Sequence, residues 1–117
     1  MLVGTGIDIV DIDRFKKICE NPSFRTKYFH PNEQKIKIES LAGRFAAREA
    51  LYKALDKQDL FNWKEILVVS KPDRAPKFEF LGVLKEYAKD KSFHLSISHS
   101  QNYAVALVVI ETLPYVL

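Results

Sequence analysis

The chain has 117 residues, of which 18 are basic and 15 acidic, for a net charge of +3; 47% of it is apolar and 28% charged. That length fits a single domain over 1–117, and the balance excludes a disordered chain. So small a charge excess does not by itself point to nucleic acid, and one cysteine, Cys19, excludes an intrachain disulfide and suits a reducing compartment.

Met1 to Gly6 has no basic stretch, so a signal peptide is not expected. Leu2 to Val10 reads as a strand with a buried look, Ile7 and Ile9 on one face and Asp8 on the other. Asp11 caps a helix from Ile12 to about Glu20 with an apolar stripe of Ile12, Phe15, Ile18 and Cys19, and Asn21-Pro22 ends it. Ser23 caps a short helix through Phe29. Another short helix is expected from Glu33 to Glu39, after the break His30-Pro31-Asn32. Ser40 opens the strongest helix, Leu41 to Leu55, rich in Ala and Leu. Glu65 to Ser70 and Lys77 to Leu81 read as strands joined by a turn over 71–76, and Val83 to Lys91 as an amphipathic helix. Phe93 to Ser98 alternates cleanly and forms a hairpin with Tyr103 to Glu111. The longest apolar run, Ala104 to Ile110, is too short for a membrane helix, so a soluble cytoplasmic protein is expected. The order of elements predicts an α+β fold, a mainly antiparallel sheet packed against one long and several short helices.

Two carboxylates stand out. Glu49 lies within the stripe Ala42, Phe45, Ala46, Tyr52 and Lys53 of the long helix, where a bare charge is costly. It reads either as an ion pair with Lys53 four residues on, or as a ligand. Asp8 interrupts an apolar strand and reads either as an edge or capping residue or as a ligand. Two hard oxygen donors suit Mg²⁺; three scattered His and Cys19 give no zinc spacing. Ser96-Ile97-Ser98-His99-Ser100 places hydroxyls and an imidazole at a strand end, either as a polar turn or as phosphate donors. His30 and His94 read as structural or exposed. Arg14, Lys16, Lys17, Arg25, Lys27, Lys35 and Lys37 cluster beside Phe24, Tyr28 and Phe29, either as a solvated face or as a docking surface for an acidic partner. No RNA motif or DNA-reading helix accompanies them.

Three segments together resemble a known family. They are Gly6-Ile7-Asp8-Ile9-Val10-Asp11-Ile12-Asp13-Arg14, then Arg44-Phe45-Ala46-Ala47-Arg48-Glu49-Ala50 with Lys53-Ala54, then Ser96-Ile97-Ser98-His99-Ser100 with Tyr103-Ala104. In that order they resemble the holo-[acyl-carrier-protein] synthases, the short bacterial 4′-phosphopantetheinyl transferases. The resemblance implies transfer of the phosphopantetheine arm of coenzyme A to a serine of apo acyl carrier protein, for fatty acid biosynthesis. It implies Mg²⁺ on Asp8 and Glu49, with Lys53 and His99 at the phosphates and Arg44 and Ser98 near the nucleotide. For the serine proton two bases stay open, Glu49 itself or a water on the metal, and the sequence does not choose between them. Arg14, Lys17 and Arg25 face the carrier protein. A homotrimer with sites between subunits is implied, in which Asp8 and Glu49 can come from different chains. No nucleic acid and no membrane are expected.

The chain departs from the family at Asp56-Lys57-Gln58-Asp59-Leu60, where Gly-Thr-Gly-Ile is usual. It departs again at Arg74-Ala75-Pro76 in place of Gly-Lys-Pro, and at Arg48 in place of Lys. The rival readings are a Mg²⁺-dependent nucleotide pyrophosphate hydrolase and a basic module that binds an acidic protein or RNA without turnover.

Overall fold

The computed structural model describes residues 1–114, so the last three residues of the expected 1–117 domain lie outside it. Strand β1 (Leu2–Asp11) runs straight into helix α1 (Ile12–Cys19). Asp11 makes the switch: its backbone is extended and its side chain accepts from the Arg14 N–H at 3.2 Å. Helix α2 (Pro22–Tyr28) follows at once, capped by Asn21 rather than Ser23. Pro22 therefore opens a helix as well as closing one, since the first turn needs no N–H from it.

The helix expected over 33–39 does not form. Pro31–Glu33 makes one 3₁₀ turn, and helix α3 (Ile38–Ala54) begins three residues earlier than Ser40 suggests. Its first residue follows Lys37, which supplies no side-chain cap, so the true start carries no capping signal. Strands β2 (Ile66–Lys71) and β3 (Arg74–Phe80) pair through a tighter turn than expected, with Lys71 opposite Arg74. Helix α4 (Gly82–Tyr87) ends in a 3₁₀ turn, and β4 (Lys91–His99) and β5 (Tyr103–Thr112) form the expected hairpin. The fold is α+β, with one antiparallel sheet in the order β1-β5-β4 and a second made of β2-β3. Among the described residues no helix is long and apolar enough to cross a membrane.

Helix α3 packs on one face of the three-stranded sheet. Ala104, Ala106, Val108 and Ile110 of β5 point at it and are buried. On β1 the residues in register with them are Val10, Asp8, Gly6 and Gly4. A β-carbon on Gly4 would stand 2.0 Å from the Ala54 carbonyl oxygen, and one on Gly6 would stand 1.9 Å from that of Ala50. Glycine on the strand and alanine on the helix thus let the two backbones nearly touch.

The outward face corrects the buried reading of β1. Ile7 and Ile9 are 61% and 63% exposed, and Leu107, opposite Ile7, is 43% exposed. The alternation is as expected, but the apolar side chains take the open face and Asp8 the covered one. Aromatics fill the space under α1 and α2. Phe15, Phe24, Phe29 and Phe45 lie with ring centroids 5.4–6.3 Å apart, and Phe45 stacks on Trp63. Phe29 is fully buried and Phe24 and Tyr28 half-buried, so these rings serve chiefly as core. Ile18 is the exception on α1: it is exposed rather than part of the buried stripe.

Candidate active site

Asp8 and Glu49 line one cleft of about 260 Å³, together with Ile9, Val10, Asp11, Arg14, Phe15, Ile18, Phe24 and Phe45. Within one chain both carboxylates reach this cleft, because the glycine–alanine contact brings the middle of β1 against α3. Lys53 does not pair with Glu49. Its ammonium donates to the Ile7 carbonyl at 2.9 Å and to Asp8 at 3.2 Å, and it borders the outward face with Ile7, Ile9 and Val105. Among the described residues Glu49 has no ion-pair or side-chain hydrogen-bond partner. Burial, and then the neighbouring Asp8 charge, push its pKa above the usual carboxylate value, against a smaller pull from Lys53.

Arg44 and His99 are elsewhere. They line a second cavity of about 230 Å³ with Ser40, Gly43, Val68, Ser70, Pro76 and Ile97. Phe45 and Glu49 look from α3 toward β1, whereas Ser40, Gly43 and Arg44 look toward β4, on the far side of β5. Strand spacing puts β1 and β4 about 10 Å apart, so α3 separates the two cavities. Within one chain, then, His99 and Lys53 do not share a cavity. Ser98 pairs with Val105 on the outward face and is exposed, so it lies in neither.

One buried polar cluster carried no signal in the sequence. Glu33 is buried and accepts from Arg48 Nη2 at 2.7 Å, from the His30 N–H at 3.1 Å and from Arg44 Nη1 at 3.3 Å. Burial pushes its pKa up, but the hydrogen bonds and charge of Arg48, with His30 and Arg44, together outweigh this and hold it low. Arg48 is fully buried and also donates to the Ile66 carbonyl, which His30 Nε2 reaches as well. Glu33 lies in the polar run Pro31-Asn32-Glu33-Gln34, where nothing marks one side chain as inward.

At the wall of the first cleft, α1 presents Arg14, and Lys16 and Lys17 of the same helix are exposed. Arg25 is half-buried and gives its guanidinium to the Gln34 carbonyl at 2.6 Å, so it is less available than the other basic residues. The segment replacing Gly-Thr-Gly-Ile forms a turn and a 3₁₀ helix over Gln58–Leu60, tied down by Gln58 to the Tyr52 carbonyl and by the Tyr87 hydroxyl to Asp56.

Comparison with known proteins gives the family. A family model described as the 4′-phosphopantetheinyl transferase superfamily matches residues 4–108. The chain is 36% identical over 115 residues to a holo-[acyl-carrier-protein] synthase of Leifsonia xyli, covering 95% of this chain and 98% of that one. Its fold matches a holo-(acyl-carrier-protein) synthase from Bacillus anthracis in complex with CoA (3′,5′-ADP), with TM-score 0.78 and 32% identity over 97% of this chain and 99% of that one. It also matches the Helicobacter pylori holo-[acyl-carrier-protein] synthase in complex with coenzyme A, with TM-score 0.76 and 31% identity over 92% and 99% of the two chains. With motifs, fold and length in agreement, the chain belongs to the 4′-phosphopantetheinyl transferase superfamily and, within it, to the holo-[acyl-carrier-protein] synthase enzymes.

Proposed function

We propose that the enzyme transfers the 4′-phosphopantetheine group of coenzyme A to a serine of apo acyl carrier protein, releasing adenosine 3′,5′-bisphosphate and so activating the carrier for fatty acid biosynthesis in the cytoplasm. The observation that carries this reading is Glu49, an unpaired, half-buried carboxylate beside Asp8 in one cleft. Such a pair repels itself and fits a small hard cation. Mg²⁺ matches, since it takes one or two carboxylates and leaves its other positions to water and phosphate. When bound there, Mg²⁺ would supply charge stabilisation for a diphosphate.

The chain's own residues do the rest. Lys53, held at the rim by the Ile7 carbonyl, offers a positive charge to the leaving phosphate. Glu49, in its ionised form, accepts the proton of the attacking serine. Arg44 and His99 take a phosphate at the nucleotide end. Arg14 and Lys17 hold the acidic carrier at the cleft mouth.

The separation of the two cavities favours an assembly. Setting the Asp8–Glu49 cleft of one subunit against the Arg44–His99 cavity of the next is a head-to-tail contact, which gives a ring where its rotation closes. The apolar strip of Ile7, Ile9 and Leu107, next to the cleft, gives that contact a surface to bury. We assign a homotrimer. The structures of the Bacillus anthracis and Helicobacter pylori relatives, solved with CoA, support the choice of substrate.

The test is a mass measurement. Apo carrier protein incubated with the enzyme, coenzyme A and Mg²⁺ should gain one phosphopantetheine. Release of 3′,5′-ADP without carrier protein would mean a hydrolase, and binding of the carrier without any mass gain would mean a docking module.

A further inference from the structure

Among the described residues Glu33 and Arg48 are the only buried charged groups. They need each other: the 2.7 Å bond between Glu33 Oε1 and Arg48 Nη2 pairs one carboxylate with one guanidinium. A second arginine is therefore surplus to neutralising Glu33, yet Glu33 Oε2 turns to Arg44 at 3.3 Å. The surplus positive charge is carried by Arg44, whose side chain keeps 20% of its surface exposed in the His99 cavity. Only Nη1 of Arg44 is committed, to Glu33 and to the Val68 carbonyl at 3.0 Å. Its Nε and Nη2 make no hydrogen bond among the described residues.

Glu33 is itself fixed from two further directions. Its Oε1 takes the His30 N–H, and Arg48 is bolted to the Ile66 carbonyl by two bonds of 3.0 and 3.3 Å. The carboxylate thus links the Pro31–Glu33 turn, α3 and β2 at one point, and β2 supplies Val68 and Ser70 to the cavity wall.

We infer that Glu33 is a positioning residue for nucleotide binding: it holds one edge of the Arg44 guanidinium so that the other edge faces a phosphate in the His99 cavity. This rests on the reading that the cavity takes the nucleotide end of coenzyme A. A long flexible side chain held by a fixed carboxylate spends less freedom when the anion arrives, and its planar fork keeps its angle.

The test is a thermodynamic cycle on the full-length protein, with calorimetric titration of adenosine 3′,5′-bisphosphate into wild type, Glu33→Gln, Arg44→Gln and the double variant. Glu33→Gln should weaken binding about tenfold, and the double variant should bind no more weakly than Arg44→Gln alone. In turnover, Glu33→Gln should raise KM for coenzyme A by more than it lowers kcat. A purely structural role would lower the folded fraction, and with it kcat, while leaving KM in place. If Glu33→Gln does not fold, Glu33→Asp carries the same cycle, since a carboxylate one methylene shorter cannot span Arg48 and Arg44 together. Unchanged affinity in the Glu33 variant, or additive losses, would overturn the positioning role alone. Unchanged affinity in Arg44→Gln would overturn the nucleotide assignment of the cavity along with it.

Discussion

Gly6→Ala tests how the site is built. An alanine β-carbon at this position would stand 1.9 Å from the Ala50 carbonyl oxygen, 2.9 Å from its carbonyl carbon and 3.0 Å from the Ala54 nitrogen. Ordinary contact begins at 3.4 Å, so about 1.5 Å of separation must be found. All three atoms belong to the α3 backbone, so no rotamer can yield; helix and strand must part. Overpacking of this kind costs about 1–3 kcal/mol, and the backbone clash puts Gly6→Ala at the upper end, a fall in Tm of about 10 °C. The same displacement moves Glu49 away from Asp8, and a misplacement of about 1 Å at a reacting centre costs about 100-fold in rate. Circular dichroism melts, with transfer followed by mass spectrometry well below the Tm, measure both. Gly43→Ala is the comparison, because its β-carbon meets one side-chain atom, Ile97 Cγ2 at 2.9 Å, and no backbone. Its melting temperature should fall less than that of Gly6→Ala. A Gly6→Ala protein that melts within about 2 °C of wild type and transfers normally would refute the claim that this contact sets the site.

Glu49→Gln should reduce transfer at least about 100-fold and yet raise the Tm of cation-free protein at pH 7. The sign follows from the raised pKa. Stability present below the ordinary value of 4.5 is lost as pH rises through the higher folded value, so the gap between variant and wild type should close below pH 4.5. Equal melting at pH 7 would contradict this. Leu107→Asp, on the outward face, should leave the subunit folded but give monomers in sedimentation and abolish transfer. A persisting trimer would reject that surface as the interface. Arg14→Glu with Lys17→Glu should raise KM for the carrier about tenfold and flatten its salt dependence, with steady-state kinetics at two ionic strengths as the check.

Periodicity in the sequence was enough to place the strands, their hairpins and the long helix. Period two in Phe93 to Ser98 and the alanines of α3 are local patterns that tertiary contacts reinforce. It did not tell which face of β1 is covered, since Ile7 and Ile9 look like core residues when no partner surface is in view. The capping logic found Asp11 but was misled at Ser23 and Ser40. There the caps that matter are Asn21 and a lysine without a side-chain bond. Asp8 and Glu49 were legible as charges in apolar surroundings. Glu33 was not, because its burial depends on Arg44 and Arg48, more than ten residues away, swinging back over it. The separation of His99 from Lys53 follows from strand order, which no motif records.

The stacked pair of Phe45 and Trp63, with ring centroids 5.4 Å apart and planes within 15°, joins the chain's sole tryptophan to a wall of the Asp8–Glu49 cleft. Whatever enters and tilts that phenyl ring alters the surroundings of the indole. The protein therefore carries an intrinsic fluorophore one ring from the chemistry, and arrivals and departures at the cleft can be timed by emission from unlabelled enzyme.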